Sequence, residues 1–245
     1  MERQNRRVTA LKLTLAAVVI AIVANVPVTT RQGVNFEVSE HRLPLYLKSF
    51  EFLDRDAQYR QLANEITAGA LSDAARVLAI FNWTGRRIQP APATWPVVDD
   101  HILNIIIRGY GAADQRADVF ATLTTYAGVP AFWRKVSAPS THDGVIFTFV
   151  RLDGRWAVVD VADGFVFRNR DGGFATPDDC AAGRVVLPAA AAALTIGSTP
   201  YTQILTAVRA PVVPRPLRAE LQMPLRRLWD VSLRTIGYRH DDGSE

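Results

Sequence analysis

Between Arg108 and Arg116 the chain reads Gly109-Tyr110-Gly111-Ala112-Ala113-Asp114-Gln115, followed by an apolar-periodic run from Ala117 to Ala127 that stops at Gly128. Glycines at 109 and 111 permit a tight backbone leading into a helix. Asp114 near the helix start suits the positive end of the helix dipole. A cysteine in the same turn would have its thiolate stabilised by that dipole. Residue 113 is an alanine, which has no thiolate with which to attack an amide. Read locally, the segment is a glycine-rich turn into a core helix. Phe120, Leu123 and Ala127 recur at helical spacing and bury one face, and Gly128 is a C-terminal cap. Three other places hold reactive groups. Cys180, the single cysteine, follows Asp178 and Asp179, whose charges raise a thiol pKa and blunt its nucleophilicity. It reads as a structural thiol, and one cysteine excludes a disulfide within the chain. Asp99-Asp100-His101 offers metal-ligand types, but adjacent residues rarely converge on one ion. That run is expected to position the segment before the turn, with no metal site. His142 stands in the loop pattern Ser140-Thr141-His142-Asp143-Gly144.

The elements that must hold these groups read as an α+β arrangement. Leu71 to Trp83 is an amphipathic helix with Ser72 as its N-cap. Pro90, Pro92, Trp95 and Pro96 form a connector. Phe132–Val136, Val145–Leu152 and Arg155–Val161 read as three strands. Asp153-Gly154 is a two-residue hairpin signal between the last two. That turn pairs residue 147 with Asp160 and puts Val145 on Asp160's face of the sheet. His142 lies three residues before Val145, and a bulge at Gly144 is needed to bring it to that face. Thr176 and Pro177 read as the cap and first position of a short helix.

The turn at 109–115, the helix after it and Ala127-Gly128-Val129-Pro130-Ala131 together resemble bacterial transglutaminase-like proteins, a branch of the papain-like superfamily. There the pattern is roughly Gly-Tyr-Gly-x-Cys-Asp-Gln, a helix, then Ala-Gly-hydrophobic-Pro-Ala. Trp83 to Ile88 resembles the end of the family's preceding helix. Gly154-Arg155-Trp156-Ala157-Val158-Val159-Asp160 is similar to its Gly-x-Trp-x-x-x-Asp strand. The resemblance covers roughly residues 75 to 170. It implies a central helix packed on an antiparallel sheet, and a Cys, His, Asp triad in that chain order. Carried over, Ala113 fills the nucleophile position, Asp160 the aspartate position, and His142 is the only histidine between them. The family's histidine commonly stands eight residues before the hairpin turn, a position held here by Val145. Gly111, Asp114, Gln115 and Trp156 would support the cleft, and no cofactor is implied. Two origins of Ala113 stay open: the chain's own residue in a pseudoenzyme, or a replaced cysteine.

At the N-terminus, Arg3, Arg6, Arg7 and Lys12 precede or open an apolar stretch running from Val8 to Val28. As one helix it would be about 30 Å long, enough for a bilayer core, with the basic flank in the cytoplasm and the rest outside. The rival is a cleaved signal peptide, although no clean cleavage pattern follows Ala24. The expected plan is a cytoplasmic N-terminus (1–7), a transmembrane anchor (8–28), a helical lead-in (29–70), a transglutaminase-like core (71–182) and a C-terminal helical extension (183–245). In the last part, the alanine run 189–193 reads as a short helix. Pro211, Pro214 and Pro216 read as an extended stretch. Pro224–Ile236 reads as a helix with Leu225, Leu228, Trp229, Ser232 and Ile236 on one stripe. That stripe is expected to dock on the domain, the alternative being lipid headgroups. A net charge of +4 with scattered arginines fits an anionic membrane or wall polymer, and no nucleic-acid signature accompanies it. Two functions follow. One is a membrane-anchored, periplasmic, non-catalytic module binding a peptide, a peptidoglycan-type amide or an envelope protein. The other is a cysteine amidase, peptidase or acyl transferase whose nucleophile was replaced.

Overall fold

The computed structural model describes residues 2–34, 37–92, 94–95, 101–137 and 144–235. Asp99, Asp100, His142 and Ile236 lie outside them. The chain begins with α1 (Glu2–Ala24), then a hairpin of β1 (Pro27–Val34) and β2 (Glu37–Pro44), then α2 (Leu45–Ile66) and α3 (Asp73–Arg87). Next come β3 (Gln89–Pro90), α4 (Ile102–Arg108), β4 (Tyr110–Gly111) and α5 (Ala113–Tyr126). Strands β5 (Ala131–Ser137), β6 (Gly144–Leu152), β7 (Arg155–Asp160) and β8 (Phe165–Val166) form one antiparallel sheet in that order. The remainder is β9 (Arg168–Asn169), α6 (Pro177–Ala181), β10 (Val185–Val186), α7 (Ala189–Ala193), β11 (Thr195–Ile196), β12 (Thr199–Pro200), α8 (Tyr201–Thr206), a 3-10 turn at Glu220–Gln222 and α9 (Pro224–Thr235).

Several boundaries follow the residues that signalled them. The Ser72 side chain accepts from the Ala75 N–H at 3.2 Å, capping α3. Thr176 caps α6, with Pro177 in its first turn. Asp153 and Gly154 both take positive φ, 48° and 75°, as a two-residue hairpin turn of the primed kind requires. The resulting register pairs Thr148 with Val159 and Phe149 with Val158. One step further along, Phe147 stands opposite Asp160, as the turn length predicts.

The sheet is covered on both faces. On one, Ala131, Val150, Leu152, Ala157 and Val159 pack with Val119, Phe120 and Leu123 of α5 and with residues of α2, α3 and α4. On the other, Phe132, Val145, Phe147, Phe149 and Val158 pack with Phe167, Cys180, Tyr201, Ile204 and Leu205 of the C-terminal part. The result is three layers: helices, sheet and C-terminal cover. The predicted helix-on-sheet core is present, but residues 183–217 complete it and do not form a separate appendage. The signal was in β6, whose run Val145-Ile146-Phe147-Thr148-Phe149-Val150 does not alternate, as befits a strand buried on both sides. Helix α5, between its helical neighbours and the sheet, is buried along almost its whole length.

Three expectations need correction. The stretch Val8–Val28 is not one helix. Helix α1 stops at Ala24 and Pro27 opens β1, leaving roughly 25 Å of helix from Val8 at 1.5 Å per residue. Among the described residues no helix is long and apolar enough to cross a membrane. The lead-in over 29–70 is helical only from Leu45. Before it lies the hairpin, bracketed by Pro27 paired with Pro44, and Pro44 serves as the residue before α2. Finally, α9 forms as predicted, but inside out. Leu225, Leu228 and Trp229 are 82%, 64% and 65% exposed, while Asp230 is buried.

These burials predict a contrast measurable by urea denaturation. Ile204→Ala, at a fully buried position of the C-terminal cover, lowers stability by about 2–5 kcal/mol. Leu225→Ala changes it by less than about 0.5 kcal/mol.

Candidate functional site

The turn before α5 is fixed from three directions. Gly109 ends α4 in the left-handed conformation, φ 78°, where glycine carries no Cβ penalty. Its carbonyl accepts from the Gln89 N–H at 2.8 Å, and the Gly111 carbonyl from the Ala91 N–H at 3.0 Å. The segment after α3 thus runs parallel beside the turn. Gly111 has ordinary φ but little room: a Cβ there would stand 3.1 Å from the Gln115 Cβ and Oε1 and 3.2 Å from the Ile105 Cγ2. The two glycines therefore serve different ends, one torsional and one steric.

Gln115 organises the first turn of α5. Its Oε1 accepts from the Ala112 N–H at 3.1 Å and from Arg108 Nη2 at 3.4 Å. This is the reciprocal half of a capping box; an alanine at the cap position cannot supply the other half. Asp114 Oδ1 accepts from the Gln115 N–H at 2.9 Å. Arg108 Nε donates to the Tyr110 carbonyl at 3.1 Å, and its guanidinium lies 5.2 Å from the Tyr110 ring centre. Trp95 packs edge-on against the same ring, 4.8 Å between centroids. Ala113, the first residue of the helix, is exposed. Gly111, Asp114 and Gln115 are thus gathered around it, with an aromatic and cationic wall that the motif did not flag.

Asp160 ends β7 and is wholly buried. It alternates with Val159 and Val161, which belong to the core shared with α5, so its carboxylate leaves the opposite face, under the C-terminal cover. There Oδ2 accepts from the Tyr201 hydroxyl at 2.6 Å and Oδ1 from the Asp163 N–H at 2.9 Å. Phe147, Phe165 and Phe167 surround the tyrosine, 5.7–6.4 Å between ring centres. Burial pushes the Asp160 pKa up to about 7, against the downward pull of those hydrogen bonds. The Tyr201 hydroxyl is raised too, by burial and then by Asp160's charge.

Val145, at the family's histidine position, is buried in the same apolar layer. Trp156 stands at the other end of β7, about 13 Å from Asp160 at 3.3 Å per residue, in edge contact with Phe132. Sequence reasoning also missed Arg116, which is almost fully buried one turn into α5. Its guanidinium donates to the Ala162 carbonyl just past β7. Burial lowers its pKa, while the nearby charges of Asp160 and Asp163 favour the charged form. Spacing offered a signal for it: residue 116 is the i+3 neighbour of 113 on the helix surface. Nothing local linked Tyr201 to Asp160, forty-one residues away.

Cys180 is buried beneath α8, and burial, with a smaller contribution from Asp179, pushes its thiol up to about 12. It is inert at neutral pH. Among the described residues no three His, Cys, Asp or Glu side chains stand together as a metal would require.

Asp160 yields a pH prediction. A carboxyl whose folded pKa lies above its unfolded value stabilises fully below the unfolded pKa, and that contribution is lost as pH rises through the folded one. Relative to Asp160→Asn, the wild type therefore loses stability between about pH 4 and pH 7, at up to about 1.4 kcal/mol per pH unit. Tyr201→Phe removes a donor to the ionised carboxylate and costs about 1.5–3 kcal/mol above pH 7, less at pH 5. Urea midpoints across that range measure both.

No protein-family model matches the sequence, and no curated protein matches it. Solved structures similar to the chain include a proposed cysteine protease from Cytophaga hutchinsonii, with TM-score 0.39, 16% identity, and 44% of this chain aligned to 37% of that one. A proposed protease from Parabacteroides distasonis aligns with TM-score 0.36 and 11% identity over 56% of this chain and 36% of its own. A TGase aligns with TM-score 0.37 and 12% identity over 54% and 43%. The chain spans less than half the length of each of these structures. These likenesses are partial, with every TM-score below 0.4, and they are silent on chemistry.

Proposed function

We propose that this chain is a non-catalytic binding module built on a transglutaminase-like frame. The observation that carries the reading is the pairing of an exposed alanine at the start of α5 with an aspartate committed elsewhere. The methyl of Ala113 has no lone pair to offer a carbonyl carbon. Asp160 is wholly buried under the C-terminal cover, where it accepts from Tyr201 and from the Asp163 N–H, so an imidazole bonding to it from that face would have to enter a packed aromatic layer. The position where the family's histidine commonly stands is Val145, within an apolar layer. His142 remains the candidate for the base in the rival reading, a cysteine amidase, peptidase or acyl transferase whose nucleophile was replaced.

The ligand fitting this reading is an amide-bearing chain, such as a peptide or a peptidoglycan stem, or an envelope protein presenting one. Trp95 and Tyr110 supply flat faces beside the helix start, and Arg108 supplies a fixed cation.

Two measurements test the proposal. In Ala113→Cys the introduced thiol should alkylate at the same rate with or without His142→Ala or Asp160→Asn. A tenfold or greater loss of rate in either background, on the order expected when a base activates a nucleophile, would establish the replaced-enzyme reading instead. Titrating a soluble stem peptide into the unaltered chain should change tryptophan emission, and Trp95→Ala should remove most of that change. Binding unaffected by Trp95→Ala would show that the ligand sits elsewhere.

A further inference from the structure

Exposed apolar side chains are concentrated on three helices. Helix α1 exposes Leu11, Leu13, Val18, Ile20, Ile22 and Val23, each between 48% and 71%. At 100° per residue these positions spread over about 220° of the circumference, with Ala10, Ala17 and Ala21 on the remaining arc. Helix α2 exposes Tyr46, Leu47, Phe50 and Leu53 in its first half. An open apolar groove of about 460 Å³ runs between that half and the end of α1. Helix α9 exposes Leu225, Leu228 and Trp229 on one side and turns Asp230, its only acid, inward. Helix α2 touches both α1 and α9, so the three are linked in series. Isolated exposed apolar residues are ordinary on a protein surface, but a cluster on this scale marks an interaction site.

We infer that α1, the first half of α2 and α9 form a docking surface for an anionic lipid bilayer. The partner's chemistry follows from the pattern. A protein groove would cover one stripe of a helix, whereas the exposed large apolar residues of α1 from Leu11 on spread over well more than half of its circumference, which suits a medium that surrounds it. Helix α9 has the composition of a helix lying in a headgroup layer: a tryptophan and leucines outward, flanked by exposed Arg226 and Arg227. Arg6 and Lys12 on α1 are exposed as well, so the basic groups accompany the apolar ones. Anionic headgroups complement them. Docking of this kind needs no helix to cross the bilayer, in keeping with the finding that no described helix is long and apolar enough to do so. It is independent of what the α5 cleft binds.

The chain's one native thiol is buried and unreactive, which makes site-specific labelling clean. Leu228→Cys, and as control Gln203→Cys at an exposed position of α8, are labelled in the full chain with an environment-sensitive fluorophore. Phosphatidylglycerol vesicles should raise emission several-fold and shift it to the blue at 228 and not at 203. Phosphatidylcholine vesicles should do so less, and high salt should weaken the response to phosphatidylglycerol. Replacing Arg226 and Arg227 with glutamate should remove the preference for phosphatidylglycerol. Equal responses at both positions, or none at 228, would overturn the inference. So would a rise at 228 on concentrating the protein without lipid, which would identify a second copy of this chain as the occupant.

Discussion

A strand that is apolar on both sides needs two covers, and β6 is such a strand. Helix α5 and its neighbours shield one face of the sheet, and residues 165–217 must shield the other. At about 25 cal/mol per Å² of apolar surface buried, leaving Phe147 and Phe149 to water would cost several kcal/mol, a large share of a typical domain's stability. The C-terminal cover is therefore part of the core. Its short helices α6, α7 and α8 are too brief to be stable alone and persist because they bury Ala191, Tyr201 and Ile204.

That requirement explains the state of Asp160. Once the second layer closes, a carboxylate on that face loses water and must find donors within the protein. Tyr201 and the Asp163 N–H supply them. A hydrogen bond that satisfies a buried acid also ties α8 to the end of β7, so packing and electrostatics reinforce each other. On the helical side, two buried charged side chains of α5 find partners. Arg116 reaches the Ala162 carbonyl, and Asp118 receives the Trp133 indole N–H and pairs with Arg218.

What the sequence made legible was local. Ser72, Thr176 and Pro177 mark helix starts by side-chain chemistry within three residues. Asp153-Gly154 sets the register of β6 and β7 because two positive-φ residues leave one pairing. The glycine turn at 109–111 leading into α5 was readable, whereas Gln115 reaching back over the helix start emerged only with the structure. What escaped depended on distant pairing. The β1–β2 hairpin rests on Pro27 meeting Pro44, and Tyr201 on meeting Asp160. The orientation of α9 escaped for another reason. Its pattern fixes which residues share a stripe, but the side of that stripe facing the protein is decided by neighbours. Here the neighbours take Asp230.

The same separation of local frame from distant partner bears on residue 113. The dipole of α5 would favour a thiolate there, and the charge of Arg116 one turn on would add to that. Favouring the anion is only half of acyl-transfer chemistry. A proton must also pass from nucleophile to leaving group through a base held in one tautomer. The carboxylate that would hold that base faces the C-terminal layer, and the tyrosine bonded to it is itself packed among three phenylalanines. Releasing it would mean parting α8 from the sheet. On the proposed reading, a thiol at 113 would be a stabilised anion whose base would have to reach a carboxylate enclosed by Tyr201 and its three phenylalanines.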